Sequence, residues 1–209
     1  MKSQLCYPRN LLGWVETMLD KEHVDFLWNR INHTGDDYRS SLAGNISKSY
    51  KIEDTDDFFC KTVLEPHAVA YKEKCGALPI RSYTRGESTK IELLDFWVNF
   101  QYEHEFNPYH HHAGIYSFVV WLKIPYHWKE QNALTFLEGM QAHDKKPGVF
   151  EFEYISILGD IETHCYRLDP SLEATMLFFP AALRHTVYPF YETKEPRISV
   201  SGNLGIKVG

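Results

Sequence analysis

The hydrophobic pattern of the chain changes from helical to strand-like at about residue 80. In residues 10–32, "NLLGWVETMLDKEHVDFLWNRIN", apolar side chains recur at mixed three- and four-residue spacings, which is typical of one or two amphipathic helices. The turn-rich residues 36–54 separate this region from a second helical pattern over residues 54–75, whose acidic start favours a helix N-terminus. We expect Pro66 to break or kink that second helix.

After residue 80 the chain consists of short runs rich in β-branched and aromatic residues, separated by turn residues. Seven or eight strands are predicted, and they indicate a sandwich or a barrel. The runs are "IELLDFWVNFQYE", "IYSFVVWLKIP", "NALTFLEG", "VFEFEYISILG", "THCYRLD", "ATMLFFPA", "HTVYPFY" and "RISVSGNLGI". We therefore expect a single, mainly β domain over residues 1–209, with a helical N-terminal part over about 1–78 and a β core over about 79–206.

Composition and charge exclude several classes of protein. A chain of 209 residues that is 44% hydrophobic is an ordinary globular protein, and its formal net charge of -6 provides no basic surface for nucleic acid. The start "MKSQLCYPRNLL" lacks the apolar core of a signal peptide, and no stretch approaches the roughly 20 apolar residues of a membrane helix. The cysteines Cys6, Cys60, Cys75 and Cys165 are widely spaced, which favours reduced thiols. The chain is therefore expected to be cytoplasmic, with no nucleic-acid or membrane partner.

Three consecutive histidines stand directly before an apolar run, in "EFNPYHHHAGIYSFVVWLKIP". In an extended chain, residues two apart project from the same face, so His110 and His112 can converge while His111 points away. His185, in "FFPAALRHTVYPF", opens a later predicted strand and is a candidate third ligand if the fold closes the distance. These residues predict a metal site formed by His110, His112 and His185. We expect His104, His111 and His143 to be solvated or to lie outside the ligand set.

The last predicted strand, "EPRISVSGN", has one apolar and one polar face. Ile198 and Val200 alternate with Arg197, Ser199 and Ser201. A guanidinium offers a fixed fork for bidentate binding of a carboxylate, and a serine two residues on can donate a further hydrogen bond. Burial of this arginine would be costly without an anionic ligand or an acidic partner.

The series "WVNFQ", "EFNPYHHHAG", "SFVVWLKIP", "FFPAALRHTVYPF" and "RISVSGNLGI", together with "SLAGNI" at residues 41–46, resembles the iron(II)/2-oxoglutarate oxygenases found in marine phages and bacteria. The resemblance covers most of the chain from about residue 40. It implies a double-stranded β-helix, the jelly roll of the cupin-like folds, and a host-cytoplasmic location if the chain is phage-encoded. It also implies Fe(II) bound by His110, His112 and His185, and 2-oxoglutarate bound through its distal carboxylate by Arg197 and Ser199.

The implied activity is that of a 2-oxoglutarate- and Fe(II)-dependent dioxygenase. Such an enzyme uses O2 to hydroxylate a C–H bond, here of a protein side chain or a small metabolite, with release of succinate and CO2. Asn99 and Gln101 share one face of "FWVNFQ" and are further candidates for contact with the cosubstrate, whereas Asn107 is expected to be a turn residue. The core is expected to contain the aromatic residues Trp97, Phe100, Phe118, Trp121, Phe178 and Phe179.

The histidine motif departs from the commonest pattern of this superfamily. Most members have H-x-D or H-x-E, in which two histidines and one carboxylate bind the metal. In this sequence His112 stands at the position of that carboxylate. A remote carboxylate could complete the site, but the spacing indicates none. Two alternatives therefore stay open: a cupin-like metal enzyme that does not use 2-oxoglutarate, and a noncatalytic metal-binding or structural jelly roll. Against the first alternative, this sequence lacks the glutamate that cupins usually have a few residues after H-x-H, because Tyr116 and Ser117 stand there.

Overall fold

The computed structural model of the protein describes residues 13–75 and 90–207. Within these ranges the chain forms ten β-strands and three α-helices. In chain order they are β1 (Val15–Met18), α1 (Lys21–Ile31), β2 (Lys48–Lys51), α2 (Glu65–Cys75), β3 (Lys90–Gln101), β4 (Asn107–His110), β5 (Tyr116–Lys123), α3 (Trp128–Asn132), β6 (Val149–Ile155), β7 (Ile161–Arg167), β8 (Thr175–Pro180), β9 (Arg184–Val187) and β10 (Arg197–Lys207).

The strands form two antiparallel sheets. The larger sheet has the order β1-β8-β5-β10-β3-β2 and the smaller has the order β4-β9-β6-β7. From β3 onward the chain passes repeatedly from one sheet to the other, so that the eight strands β3–β10 wind into a double-stranded β-helix. The predicted fold class, a mainly β jelly roll with N-terminal helices, is confirmed.

Alternation along the central strands separates two hydrophobic layers. Phe96 and Val98 of β3 and Val200 of β10 are buried on the outer face of the larger sheet. The apolar faces of α1 and α2 cover this layer through buried residues such as Leu27 and Tyr71. A second cluster lies between the sheets and is rich in aromatic residues, among them Trp121, Phe150, Phe152 and Phe179. The helical part therefore supports the outer face of the larger sheet, and the inner face is left to the space between the sheets.

The helical prediction for residues 10–32 was wrong in its first part. Residues 10–12 lie outside the described ranges, and residues 15–18 form the strand β1. Val15 and Met18 pair with Phe178 and Thr175 of β8, so this segment extends the edge of the larger sheet. Alternating half-burial along β1 is compatible with either period over so few residues. Only α1 is helical in this region.

The strand predicted for "NALTFLEG", residues 132–139, was also wrong. This segment contains the end of α3 and a 3₁₀ turn at Thr135–Leu137. Leu134 and Leu137 are both buried, whereas Phe136 between them is 61% exposed. A three-residue spacing of buried side chains suits a helical turn, because a strand would have buried Leu134 and Phe136 on one face.

The second predicted helix is confirmed, but Pro66 does not break it. A π-helical turn at Cys60–Leu64 leads directly into α2, and Pro66 is the second residue of α2. Proline has no N–H to donate back along the helix, and a change of helical register at this point accommodates that loss. The turn-rich segment before it also contains the short strand β2, which the polar sequence pattern did not predict.

Three further expectations concern the chain as a whole. The boundary expected near residue 78 lies outside the described ranges, and the strands β1 and β2 from the N-terminal part join the larger sheet. Cys60, Cys75 and Cys165 form no disulfide with one another. None of the helices within the described ranges is long and apolar enough to cross a membrane.

Candidate functional site

A cavity of about 280 Å³ lies between the two sheets. Its floor is built by alternate residues of the paired strands β3 and β10, since the intervening residues are packed on the outer face of the larger sheet. On β3 these alternate residues are Asp95, Trp97, Asn99 and Gln101, and on β10 they are Arg197, Ser199, Ser201 and Asn203. The period-two pattern of both strands therefore gathers polar side chains in one cavity.

The three candidate histidines meet at this cavity. His110 is the last residue of β4 and lies opposite His185 of β9 in the strand register. His112 follows the end of β4, and its backbone N–H donates to the carbonyl oxygen of Ala181 at 2.8 Å, which holds it beside the start of β9. One ring nitrogen from each of the three lies within 4.8 Å of the others. The predicted convergence of His110, His112 and His185 is therefore found in the structure.

Backbone carbonyl groups orient two of these imidazoles. Nδ1 of His110 lies 2.7 Å from the carbonyl oxygen of Pro108, and Nδ1 of His185 lies 3.0 Å from that of Leu183. A carbonyl oxygen only accepts, so Nδ1 carries the proton in both rings and Nε2 is left with a free lone pair. Hydrogen bonds of this kind fix the tautomer in histidine ligands of metals.

The geometry fits a metal ion. Nε2 of His112 lies 3.2 Å from Nε2 of His185. Two imidazole nitrogens that are each about 2.1 Å from one ion, and at right angles to each other, lie about 3 Å apart. With its Nδ1 proton committed to Leu183, neutral His185 accepts at Nε2, so His112 donates the hydrogen bond between the two nitrogens. The same two nitrogens are close enough to bind a single cation.

Burial keeps these imidazoles neutral. It lowers the pKa of His112 to about 4, with a further contribution from the neighbouring imidazoles. Burial also lowers the pKa of His110, and it holds the pKa of His185 well below its ordinary value. Since a metal binds the neutral imidazole, the cluster is ready to bind a cation at neutral pH without losing protons.

The other histidines lie away from this cluster. His111 is exposed at the rim of the cavity, as the strand parity predicts. His104 and His143 are exposed and lie beside Glu103 and Asp144. None of the three belongs to the group of described residues whose geometry could hold a metal ion.

Arg197 is buried at the other end of the polar floor, with 2% of its surface exposed. Its guanidinium donates to the hydroxyl of Tyr126 at 2.6 Å, to the carbonyl oxygen of Gly148 at 3.4 Å and to the side-chain oxygen of Gln101. No described residue forms an ion pair with it. A buried guanidinium with only neutral partners favours an anionic ligand.

Ser199, Asn99 and Gln101 lie around this arginine. Ser199 is opposite Asn99 in the register of β10 and β3, and Arg197 is opposite Gln101. Gln101 donates to the carbonyl oxygen of Glu105 and accepts from Arg197, so its role in the free protein is to hold the guanidinium. Oδ1 of Asn99 is buried and has no hydrogen-bond partner among the described residues. Such an atom in a cavity wall is a position where a ligand or a water is expected.

Trp97 and Asn107 line the cavity but were not recognised as site residues from the sequence, and neither was Tyr126, which contacts Arg197. Trp97 is buried as predicted but forms the cavity wall, where its indole Nε1 has no partner among the described residues. Asn107 is the first residue of β4 rather than a turn residue, and its buried Oδ1 also lacks a described partner. Tyr126 lies in a loop without periodicity, so nothing in the pattern connects it with Arg197. Trp97 and Asn99 are two residues apart on β3 and therefore lie on the same face of the strand. This alternation is the signal that could have identified Trp97 as a cavity residue.

The remaining aromatic expectations are met. Phe118 and Phe178 belong to the outer hydrophobic cluster, Phe100 packs against it, and Trp121 and Phe179 belong to the cluster between the sheets.

The segment "SLAGNI" forms one side of the cavity. Ser41, Leu42 and Ala43 line it, and the backbone N–H of Asn45 donates to the carbonyl oxygen of Phe106 at 2.9 Å. A Cβ on Gly44 would lie 1.7 Å from Oδ1 of Asn107, so only glycine lets the segment approach β4 this closely.

The described part of the chain supplies no carboxylate that joins the cluster in place of the one that His112 displaces. Among the described residues, no aspartate or glutamate oxygen joins the three imidazole nitrogens. The cluster is therefore a three-histidine site in this part of the chain.

Comparisons with known proteins agree with this geometry. Residues 95–203 match the model of the family described as "Putative 2OG-Fe(II) oxygenase", a range that includes every candidate site residue. No curated protein sequence matches significantly. Because the matching range covers just over half of the chain, the comparison identifies the family.

Solved structures similar to this chain include three oxygenases. A Pseudomonas putida prolyl-4-hydroxylase is 14% identical with a TM-score of 0.48, covering 95% of each chain. A 2OG-Fe(II) oxygenase family protein from Burkholderia pseudomallei is 12% identical with a TM-score of 0.49, covering 92% of this chain and 84% of that one. A Trichoplax adhaerens prolyl hydroxylase, solved with a hypoxia inducible factor peptide fragment, is 12% identical with a TM-score of 0.49, covering 94% and 84%. By its match to the family model, the chain belongs to the 2OG-Fe(II) oxygenase family.

Proposed function

We propose that this protein binds Fe(II) through His110, His112 and His185 and 2-oxoglutarate through Arg197, and hydroxylates a C–H bond of a protein side chain or a small metabolite. The observation that carries the proposal is the presence, in one cavity, of three converging imidazoles and a buried guanidinium that forms no ion pair with a described residue. Either feature alone has a structural explanation. Together they match the two requirements of the family, a divalent metal and a dicarboxylate.

Each residue has a distinct part in this proposal. The Nε2 atoms of His110 and His185 bind the metal while their Nδ1 protons stay on backbone carbonyl groups. Arg197 binds the distal carboxylate, held in position by Tyr126 and Gln101. Ser199 and Asn99 supply further hydrogen bonds beside it. The iron and 2-oxoglutarate, when bound, supply the oxidation of the substrate by O2 with release of succinate and CO2.

The aromatic wall has a protective part. Trp97, Trp121, Phe150 and Phe179 surround the cavity with side chains that exclude water. Exclusion of water strengthens the charge interactions inside the site and limits side reactions of the oxidant. The proposal also includes a cytoplasmic location and no nucleic-acid partner, the latter supported by the net charge of -6.

Succinate formation tests the proposed function directly. Purified protein, freed of metal and then supplied with Fe(II), is incubated with 2-oxoglutarate and O2, and succinate is quantified by NMR. We expect slow, iron-dependent succinate formation even without a primary substrate, and much less of it in an Arg197→Ala variant at the same subsaturating concentration of 2-oxoglutarate. Metal binding without any binding or turnover of 2-oxoglutarate would instead support the cupin-like enzyme. Absence of both metal and 2-oxoglutarate binding would support a structural jelly roll.

An Asp at position 112 would recreate the common two-histidine, one-carboxylate face. In a His112→Asp variant we expect Fe(II) binding to be retained and succinate formation to equal or exceed that of the wild type, because a carboxylate adds a negative charge that favours a divalent cation. Metal content by mass spectrometry and succinate formation are measured together, with His112→Ala as the control that removes the ligand.

Two outcomes contradict this expectation. Complete loss of turnover in His112→Asp with iron bound would mean that the third imidazole is required for the reaction. Unchanged metal content in His112→Ala would mean that His112 is not a ligand.

A further inference from the structure

The cavity carries opposite charges at its two ends. Among the described residues that line it, Arg197 is the only arginine or lysine and Asp95 is the only carboxylate. Arg197 lies opposite Gln101 in the strand register, whereas Asp95 lies opposite Asn203, six positions along both strands. At about 3.3 Å per residue, the two backbone positions are about 20 Å apart. The cavity is therefore polarised along the length of β3 and β10.

The histidine cluster lies on the Asp95 side of Arg197. The ring centroid of His112 is 5.8 Å from that of Trp97, which is two residues from Asp95 and faces the same cavity. A molecule bound beside the imidazoles, on the side away from Arg197, therefore meets Asp95.

Neutral side chains hold the Asp95 carboxylate in place. The side-chain nitrogen of Asn203 donates to its Oδ2 at 3.2 Å, and the hydroxyl of Ser117 donates to Oδ1 of Asn203 at 2.8 Å, which orients the amide. Tyr38 stacks on Trp97 with a centroid distance of 5.0 Å. Burial, followed by the charge of Asp95, raises the pKa of Tyr38 to about 12, so its hydroxyl keeps its proton. Asp95 thus accepts a hydrogen bond from an uncharged amide and lies beside the neutral hydroxyl of Tyr38.

Asp95 has no cationic partner in the described part of the chain. It takes part in none of the ion pairs there, and the ammonium group of Lys51 lies 5.8 Å over the ring of Tyr38. Like Arg197, Asp95 is held by neutral groups, but it is half-buried whereas Arg197 is fully buried. A carboxylate arranged in this way at a cavity wall can bind an ammonium or guanidinium group through a charge-assisted hydrogen bond.

We propose that Asp95 selects a primary substrate that carries a cationic group, such as a lysine or arginine side chain or another amine. This inference rests on the proposed function, because it assigns the Arg197 end of the same cavity to 2-oxoglutarate. The charge arrangement also acts against wrong binding: Asp95 repels a dicarboxylate from the substrate end, and Arg197 repels the cationic substrate from the cosubstrate end. Asp95 is a specificity-determining residue in this proposal and takes no part in the oxidation.

Matched pairs of peptides test the proposal. The probes are acetylated, amidated pentapeptides with a central lysine or norleucine, and a second pair with arginine or citrulline. Each is titrated calorimetrically into anaerobic protein loaded with Fe(II) and 2-oxoglutarate. We expect the wild type to bind the cationic member of at least one pair about tenfold or more tightly than its neutral counterpart. Asp95→Asn is expected to reduce that ratio to about one, with unchanged affinity for Fe(II) and 2-oxoglutarate.

Two variants separate selectivity from structural damage. Asp25→Asn, on the exposed face of α1, is the matched control and should leave the ratio unchanged. Asp95→Lys should reverse the preference in a third peptide pair with central glutamate or glutamine, which a merely loosened site would not do. Equal binding of charged and neutral peptides by the wild type would overturn the proposal, and so would an Asp95→Asn variant that keeps the cationic preference.

The order of measurements distinguishes the two levels of inference. Binding of 2-oxoglutarate is measured before any peptide is added, and its absence in the wild type would contradict the proposed function. In that case, titration of the peptides into protein loaded with Fe(II) alone still shows whether the site prefers the cationic peptides. A protein that binds 2-oxoglutarate and discriminates against the cationic peptides would contradict the role of Asp95 alone.

Discussion

Replacing His185 with alanine is expected to abolish stoichiometric binding of Fe(II) while the protein stays folded. The wild type should hold about one ion per chain, and the variant less than about a tenth of that, because one of three anchoring nitrogens is lost. His185 is 4% exposed and packs against Phe150 and Phe179, so the substitution also leaves a small cavity. Metal content is measured by mass spectrometry after dialysis, and the fold by circular dichroism.

His110→Ala and His112→Ala should show the same loss of iron, since all three nitrogens belong to one cluster. His111→Ala is the matched control, because this exposed neighbour has the opposite orientation in the motif. It should bind iron normally. Equal loss of iron in His111→Ala would show that the ligand set is wrong, and normal binding in His185→Ala would contradict the metal site as a whole.

The period-two patterns explain why much of this site was predictable from the sequence. On β10, the alternation of Ile198 and Val200 with Arg197 and Ser199 corresponds directly to the outer and inner faces of the larger sheet. The same reasoning placed Asn99 and Gln101 on one face of β3 and separated His111 from its neighbours. Local alternation decides which face a side chain takes, and this information is contained in a few consecutive residues.

The local pattern does not contain the pairing between distant strands. His110 and His185 meet because β4 and β9 are neighbours in the smaller sheet, a register that depends on the closure of the whole jelly roll. Tyr126 reaches Arg197 from a loop, where no periodicity exists. Asn107 looked like a turn residue because proline follows it, but its partner Val187 on β9 makes it the start of a strand. Each of these residues depends on contacts that are distant in sequence.

The two wrong secondary-structure predictions have a related cause. Short segments such as β1 and residues 132–139 contain too few apolar positions for the periods of 2 and 3.6 to be told apart. In both, the packing partner decides the outcome: β8 pairs with β1, and Leu134 and Leu137 are buried together on one side of a helical turn. Neither segment lines the cavity, so neither error affects the site.

Replacing Arg197 with alanine is expected to weaken 2-oxoglutarate binding by roughly thirtyfold or more, with iron binding intact. A guanidinium has five N–H donors, and three hydrogen bonds to Tyr126, Gly148 and Gln101 leave two without an acceptor among the described residues. These two can engage a carboxylate in a charge-assisted, bidentate contact. Loss of such a buried contact costs about 2 to 5 kcal/mol, which corresponds to the expected change in affinity.

Calorimetric titration of the anaerobic, iron-loaded protein with 2-oxoglutarate measures this loss. Arg197→Lys keeps the charge but loses the planar fork, so its affinity should lie between those of the wild type and Arg197→Ala. Since a ligand that binds only the folded state raises the melting temperature, 2-oxoglutarate should stabilise the wild type far more than the alanine variant. Tyr126 retains its hydrogen bond to the Gly148 carbonyl at 2.8 Å, which favours a folded variant. A folded Arg197→Ala protein with undiminished affinity for 2-oxoglutarate would show that the buried guanidinium has a purely structural role, and the dicarboxylate would then have to bind elsewhere.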